Sequence, residues 1–100
     1  VRHLHEARDI LRQRLQAPPG LPELARLVGT NVQKLTSGFR QLFGMSVYDF
    51  VREQRLELAY RLLAAGEICV TQAADACGYT HSHFTKVFRK RFGVAPSTLR

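Results

Sequence analysis

"LPELARLVGTNVQKLTSGFRQLFG" (residues 21–44) has a second copy later in the same chain, "VTQAADACGYTHSHFTKVFRKRFG" (residues 70–93). An offset of 49 residues superimposes the two copies, and seven of the 24 aligned positions are then identical: Ala25/Ala74, Gly29/Gly78, Thr36/Thr85, Phe39/Phe88, Arg40/Arg89, Phe43/Phe92 and Gly44/Gly93. Self-similarity of this extent indicates one small structural unit that is used twice.

Each copy predicts two helices separated by a glycine turn. The first helix, residues 22–28 or 71–77, ends at a glycine, which takes the left-handed conformation at low steric cost. The second helix covers about residues 31–43 or 80–92, with Asn31 and Thr80 as candidate N-caps. Its buried stripe has i, i+4, i+8 spacing and consists of Leu35, Phe39 and Phe43 in the first copy and Phe84, Phe88 and Phe92 in the second. This is the helix-turn-helix plan, whose second helix can enter the DNA major groove.

The flanking segments predict further helices. Residues 46–65 contain no Gly or Pro and form a linker helix of roughly 30 Å, close to the roughly 34 Å of one B-DNA turn. Residues 4–16 form an amphipathic helix that Pro18, Pro19 and Gly20 stop, and a short helix begins near Pro96. We therefore predict an all-α domain of about seven helices: a first helix-turn-helix subdomain (1–45), the linker helix (46–65) and a second helix-turn-helix subdomain (66–100).

The charge of the chain favours a polyanionic partner. Fifteen Lys and Arg residues oppose eight Asp and Glu residues, which gives a formal charge of +7. Such an excess attracts nucleic acid over long range and gains free energy from counterion release. No apolar run approaches the roughly 20 residues of a membrane span. The sequence predicts a soluble, intracellular protein that is not associated with a membrane.

Metal, cofactor and catalytic chemistry find little support in the sequence. Cys69 and Cys77 are too few for a disulfide framework or a four-ligand zinc site, and we interpret them as small packing residues. The histidine pairs His3/His5 and His81/His83 are spaced i, i+2, which places the two rings on different helix faces. No nucleophile, base or carboxylate pair converges on one place. We predict no metal, no cofactor and no enzymatic activity.

The chain resembles the DNA-binding domain of the AraC/XylS family of bacterial transcription regulators. The most specific motifs are "FRQLFGMSVYDFVREQRLELAYRLL" (39–63) and "VTQAADACGYTHSHFTKVFRKRFGVAPSTLR" (70–100). The resemblance implies two recognition helices in successive major-groove segments of promoter DNA, contacts with RNA polymerase, and an effector-sensing or dimerising domain before Val1. Family members usually carry one more residue between the second turn glycine and the aromatic residue that matches Phe84. The resemblance therefore implies a reshaped start of the second recognition helix.

Candidate contact residues remain once the buried positions of each second helix are set aside. The outward faces near the N-terminal halves supply the candidates for base contacts, which also match base-reading positions of the resembled family: Gln33, Lys34, Thr36 and Ser37, then His81, Ser82, Thr85 and Lys86. Gln can pair with adenine, Lys can donate to guanine, and Thr can touch a thymine methyl. Nearer the helix ends, the candidates for phosphate contacts are Arg40, Arg89, Lys90 and Arg91.

Two other interpretations of the same sequence stay open. Helical modules can bind an acidic protein partner or RNA, and a basic surface would serve either. The phenylalanines could in principle stack on single-stranded bases, but their repeated i, i+4, i+8 spacing favours a buried core. A duplex-binding titration at several salt concentrations separates these alternatives.

Overall fold

The computed structural model of this chain describes residues 1–99, and this part is entirely helical. Six α-helices and a final 3₁₀ helix (Pro96–Leu99) follow one another without a strand in the described part. The α-helices are α1 (Arg2–Gln13), α2 (Leu21–Val28), α3 (Val32–Phe43), α4 (Val47–Ala64), α5 (Val70–Cys77) and α6 (His81–Phe92). The all-α prediction is confirmed. None of these helices is long and apolar enough to cross a membrane.

The chain divides into two compact units whose boundary falls inside α4. The first unit is Val1–Gln54, and the second runs from Arg55 through the remaining described residues. The first half of α4 therefore belongs to the first unit, and its second half belongs to the second unit. Each unit has its own cluster of buried side chains.

The core of the first unit forms where α1, α2, α3 and the start of α4 meet. Its fully buried side chains include Leu11, Leu24, Leu35 and Phe39. The Phe39 ring packs against Phe43, with centroids 4.6 Å apart, and against Phe50 of α4 at 5.5 Å. Aromatic contacts at these distances add to the free energy of burial. The predicted stripe of α3 is therefore the side that holds this helix on its unit.

The core of the second unit is richer in aromatic rings. Phe84 and Phe88 of α6 are fully buried, as is Leu63 of α4. Tyr60 of α4 stacks on Phe88, with ring planes 11° apart, and also contacts Phe92 at 4.8 Å. The predicted stripe of α6 thus packs on α4, and a role for Phe84 or Phe88 as an exposed stacking platform is excluded by their burial.

The two cysteines lie in the second unit and are both free. Cys77 belongs to the buried core, whereas Cys69 is half-buried and precedes α5 as its N-cap. Burial raises the pKa of the Cys77 thiol, and the positive charge of Arg55 opposes this shift in part. A buried thiol that keeps its proton behaves as a small apolar residue, as the sequence predicted for this position.

Matching caps define the helix-turn-helix segment in both units. The Asn31 side chain accepts a hydrogen bond from the Lys34 backbone N–H at 2.8 Å, and Thr80 accepts one from the His83 N–H at 3.2 Å. The preceding helices end at Gly29 and Gly78, with φ of 81° and 77°. Only a residue without Cβ takes that conformation readily. Both predicted N-caps and both predicted glycine ends are confirmed.

Some packing details differ from the sequence prediction. Helix α1 ends at Gln13, three residues before the predicted end at 16, because Arg14 leaves the helical conformation (φ −120°, ψ 40°) and Leu15 packs on the first core. Leu27 matches Ala76 in the repeat as an apolar pair, yet Leu27 is 50% exposed. Leu56 of α4 is buried, although it lies outside the apolar positions from which the sequence predicts this helix, namely 47, 50, 51, 58, 59, 62 and 63.

Gly38, in the middle of α3, marks a close approach between two helices. A Cβ at this position would lie 3.1 and 3.3 Å from the two methyl carbons of Leu4 on α1. Glycine inside a helix costs about 1 kcal/mol relative to alanine. The close contact with Leu4 gives this glycine a packing role in the first unit.

Candidate nucleic-acid interface

The N-terminal half of α3 presents a polar, exposed face. Gln33, Lys34 and Ser37 are exposed, and Thr36 is half-exposed. The buried residues Leu35 and Phe39 hold the opposite side of the helix on the core. The structure thus brings the four predicted base-contact residues of the first unit together on one short helical segment.

The N-terminal half of α6 presents a second face of the same kind. His81, Ser82 and Lys86 are exposed, and Thr85 is half-exposed. The helix begins at His81, directly after its Thr80 cap. The turn from glycine to cap has the same length as in the first unit, so α6 starts as regularly as α3. The expected reshaping of this helix start relative to other members of the resembled family stays a prediction.

Thr36 and Thr85 occupy equivalent positions and make the same local hydrogen bond. The Thr36 hydroxyl donates to the Val32 carbonyl at 2.9 Å and also lies 3.2 Å from the Gln33 carbonyl. The Thr85 hydroxyl donates to the His81 carbonyl at 3.0 Å. Hydrogen bonds of this type to the preceding turn are a known alternative to outward contacts for Thr in helices.

The register of the repeat identifies two further candidate contact residues that the sequence prediction missed. With the offset of 49, His81 is equivalent to Val32, and Lys34 is equivalent to His83. Val32 is 37% exposed in the first turn of α3. His83 is exposed, and its ring meets the edge of Tyr79 at 4.8 Å. Carrying each candidate across the repeat would have found both residues from the sequence alone.

Basic side chains cluster at the C-terminal ends of the same two helices. Arg40 lies in the last turn of α3, and Arg89, Lys90 and Arg91 lie in the last turn of α6. All four are exposed, which suits contact with a phosphate backbone. The end of α6 therefore carries more positive charge than the end of α3.

Arg91 differs from the other three basic residues because it has partners within its own unit. Its guanidinium lies 3.5 Å from a carboxylate oxygen of Glu57 on α4 and 4.8 Å from the centroid of the Phe92 ring. Both partners of the ion pair are more than a third exposed, so the pair contributes little to stability. Arg91 remains a candidate for a phosphate contact, but it would have to share its charge with Glu57.

Among residues 1–99, no group of three or more His, Cys, Asp or Glu side chains is arranged to hold a metal ion.

Comparisons with known proteins agree with this geometry. Residues 24–100 match the family described as a helix-turn-helix domain. The chain is 49% identical over 67 residues to the regulatory protein PchR of Pseudomonas aeruginosa, a match that covers 67% of this chain but 23% of PchR. An AraC-type transcriptional regulator from Chromobacterium violaceum superimposes with a TM-score of 0.86 and 27% identity, over 99% of this chain and 89% of that one.

The fold also recurs in a protein solved together with DNA. The DNA-binding domain of AdpA, in complex with a target DNA, superimposes with a TM-score of 0.75 and 24% identity, over 95% of this chain and 86% of that one. At that identity the likeness concerns the fold. Given the family match and the two helix-turn-helix units, this chain belongs to the helix-turn-helix family and is a DNA-binding domain of the AraC type. The matched residues span less than a quarter of the length of PchR.

Proposed function

We propose that this chain binds a specific sequence of double-stranded promoter DNA by placing α3 and α6 in successive major-groove segments. The observation that carries the proposal is the repetition of one arrangement in both units. In each, a buried stripe fixes the second helix, its N-terminal half exposes polar side chains, and its last turn exposes Arg or Lys. A duplex needs both features, because base edges supply specificity and phosphates supply register and affinity.

The assignment of roles follows the chemistry of the side chains. Gln33 suits adenine, because its amide can donate and accept at once, and Lys34 and Lys86 suit the acceptors of guanine. Ser37, His81 and Ser82 complete the candidate base contacts, and Thr36 and Thr85 belong to the same faces. Arg40, Arg89 and Lys90 are proposed to contact phosphates, with Arg91 as a weaker fourth because of its ion pair with Glu57.

A binding titration tests the proposal directly. The 100-residue chain is used to select duplexes from a random DNA library, and the winning duplex is titrated at several salt concentrations. Neutralisation of about six phosphates predicts a slope of log K against log salt of about −5. The duplex RNA of the same sequence and a scrambled DNA duplex are the competitors.

The controls distinguish this function from its alternatives. Arg2→Ala is the control for the loss of one positive charge outside α3 and α6, because Arg2 is 94% exposed on α1 and pairs only weakly with Glu6 at 4.0 Å. It should leave the selected sequence unchanged. Failure of the selection to enrich any sequence, or equal competition by the RNA duplex, would contradict the proposal and favour a protein-interaction or RNA-binding role.

The intact regulator is proposed to contain more than this domain. The match covers 23% of PchR, so the remainder of such a protein has room for an effector-sensing or dimerising domain. We further propose that the bound protein contacts RNA polymerase and is associated with the nucleoid. Transcription in vitro from a promoter that carries the selected sequence, with and without the protein, tests the polymerase contact; an unchanged transcript level would contradict it.

A further inference from the structure

The identities within the repeat separate into those with a structural role and those without an obvious one. Ala25/Ala74 and Phe39/Phe88 are buried in both units, Phe43/Phe92 pack against the two cores, and Gly29/Gly78 and Gly44/Gly93 all have positive φ. Arg40/Arg89 are exposed and basic, which suits a phosphate contact. The remaining identity is Thr36/Thr85, a half-exposed pair near the middle of α3 and α6.

Threonine has a low helix propensity for a residue in the middle of a helix. Its branched Cβ restricts the side chain against the preceding turn, and Ala, Leu, Lys or Gln would favour the helix more. Neither Thr36 nor Thr85 is buried. The same residue in both copies, on the face predicted to meet bases, points to a contact outside the protein.

The hydrogen bonds of the two threonines determine which atoms of each side chain can make that contact. A hydroxyl has one hydrogen, and both residues direct it to a carbonyl of the preceding turn, at 2.9 Å for Thr36 and 3.0 Å for Thr85. This bond turns the oxygen onto the helix backbone and holds the side chain in one rotamer. The oxygen can then only accept a hydrogen bond, and the γ-methyl on the same Cβ is the group that can make an apolar contact.

We propose that Thr36 and Thr85 each read a 5-methylpyrimidine through the γ-methyl, so that each unit prefers a thymine, or a 5-methylcytosine, at the equivalent step of its half-site. In the major groove, the C5 methyl is the apolar group that distinguishes thymine from the other bases. The inference rests on the proposed function, and it adds which chemical feature each unit recognises and which atom recognises it.

The test removes the two methyl groups in turn, one from the DNA and one from the protein. The probe is the duplex selected by the wild-type chain, with each thymine replaced singly by deoxyuridine, which lacks only the C5 methyl. One substitution in each half-site should weaken binding roughly fourfold, the effect of withdrawing one methyl from an apolar contact. The deoxyuridine–adenine pair is then replaced by a 5-methylcytosine–guanine pair. Binding should be tighter than with unmethylated cytosine at the same step, because the methyl contact is restored.

Two conservative variants separate the methyl from the hydroxyl. Thr36→Val keeps the methyl and loses the hydroxyl, so it should remain sensitive to deoxyuridine at its step. Thr36→Ser keeps the hydroxyl and loses the methyl, so it should bind the thymine and deoxyuridine duplexes within about 1.5-fold of each other, since no methyl is left to bury. Thr85→Val and Thr85→Ser should show the same pattern at a different step. Thermal melting confirms that all four variants fold.

Three results would overturn the inference. If deoxyuridine changes binding at no step, or changes it equally in wild type and the Ser variants, neither threonine contacts the methyl. A loss of affinity in the Val variants but not in the Ser variants would assign the contact to the hydroxyl oxygen. A selection that yields no preferred duplex would remove the proposed function itself, and the inference with it.

Discussion

The two units share a framework and differ on the surface that would meet DNA. In both, a stripe with i, i+4, i+8 spacing packs the second helix on its core, and an Asn or Thr cap and a left-handed glycine fix the turn. The exposed face carries Gln33, Lys34 and Ser37 in the first unit, but His81, Ser82 and Lys86 in the second. The repeat therefore keeps the residues that position the helix, together with Thr36/Thr85 and Arg40/Arg89, and varies the other candidate base contacts.

A second difference concerns charge. The last turn of α3 holds one basic residue, Arg40, whereas the last turn of α6 holds three, of which Arg91 pairs with Glu57. If both helices meet phosphates with these ends, the second unit should supply more of the electrostatic affinity. The first unit would then depend more on its base contacts.

The largest expected effect concerns the shared framework. Phe39→Ala and Phe88→Ala each remove a fully buried ring, so each should lower the free energy of unfolding by about 3–5 kcal/mol. Urea denaturation followed by circular dichroism measures this loss. Leu27→Ala is the control, because this side chain is half exposed and should change stability by less than about 1 kcal/mol. A loss in only one of the two Phe variants would contradict the equivalence of the two cores.

The next effect concerns the diversified faces. Gln33→Ala and Lys86→Ala should each relax discrimination at one base step by about 1–3 kcal/mol, and the two steps should lie in different half-sites. The measurement compares binding to the selected duplex with binding to its single-base variants. Equal weakening on every duplex would instead assign the side chain to the phosphate backbone.

A smaller effect tests the difference in charge. Arg40→Ala should reduce the magnitude of the salt slope by about 1, and the double variant Arg89→Ala, Lys90→Ala should reduce it by about 2, because each lost phosphate contact removes about 0.9. Neither change should alter the preferred sequence. A double variant with no more effect than Arg40→Ala would show that the basic end of α6 does not contact DNA.

The smallest effect is confined to the second core. Because burial raises the pKa of Cys77, the folded state keeps the thiol proton to higher pH than the unfolded state does. The unfolded chain therefore loses this proton first, and stability falls as the pH rises above the ordinary thiol range of about 8.5. Urea midpoints between pH 7 and 9.5 should decline more steeply for wild type than for Cys77→Ala. If the urea midpoints of wild type and Cys77→Ala fall equally with pH, the Cys77 thiol makes no contribution to the pH dependence of stability.

The sequence predicted most of the framework because local rules control it. Asn31 and Thr80 precede apolar stripes and are good N-caps, and glycine ends helices for reasons that need no tertiary contact. The predicted end of α1 was wrong because Leu15 leaves the helix and packs on the core. This contact depends on tertiary structure and not on local sequence. Leu56 was missed because α4 serves two cores, so the buried residues of its first half do not continue the spacing of those in its second.

The contact faces were predicted less completely. Exposure of Gln33 and Lys86 could be expected from the stripe, since positions outside a buried stripe face solvent. The ion pair between Arg91 and Glu57 joins residues 34 positions apart and could not be read from local spacing. The hydrogen bonds of Thr36 and Thr85 depend on a rotamer, which a sequence does not specify.

The most direct measurement of the central claim maps where each second helix lies on the DNA. Gln41 and Lys90 are equivalent in the repeat and exposed on α3 and α6, so Gln41→Cys and Lys90→Cys can each carry an iron chelate that cleaves nearby DNA. Cys69→Ser provides the background, and Cys77 is buried. We predict two separate clusters of cleavage on the selected duplex, one for each attachment site. Cleavage at one shared cluster, or none above that of unattached chelate, would contradict the account that both helices read DNA.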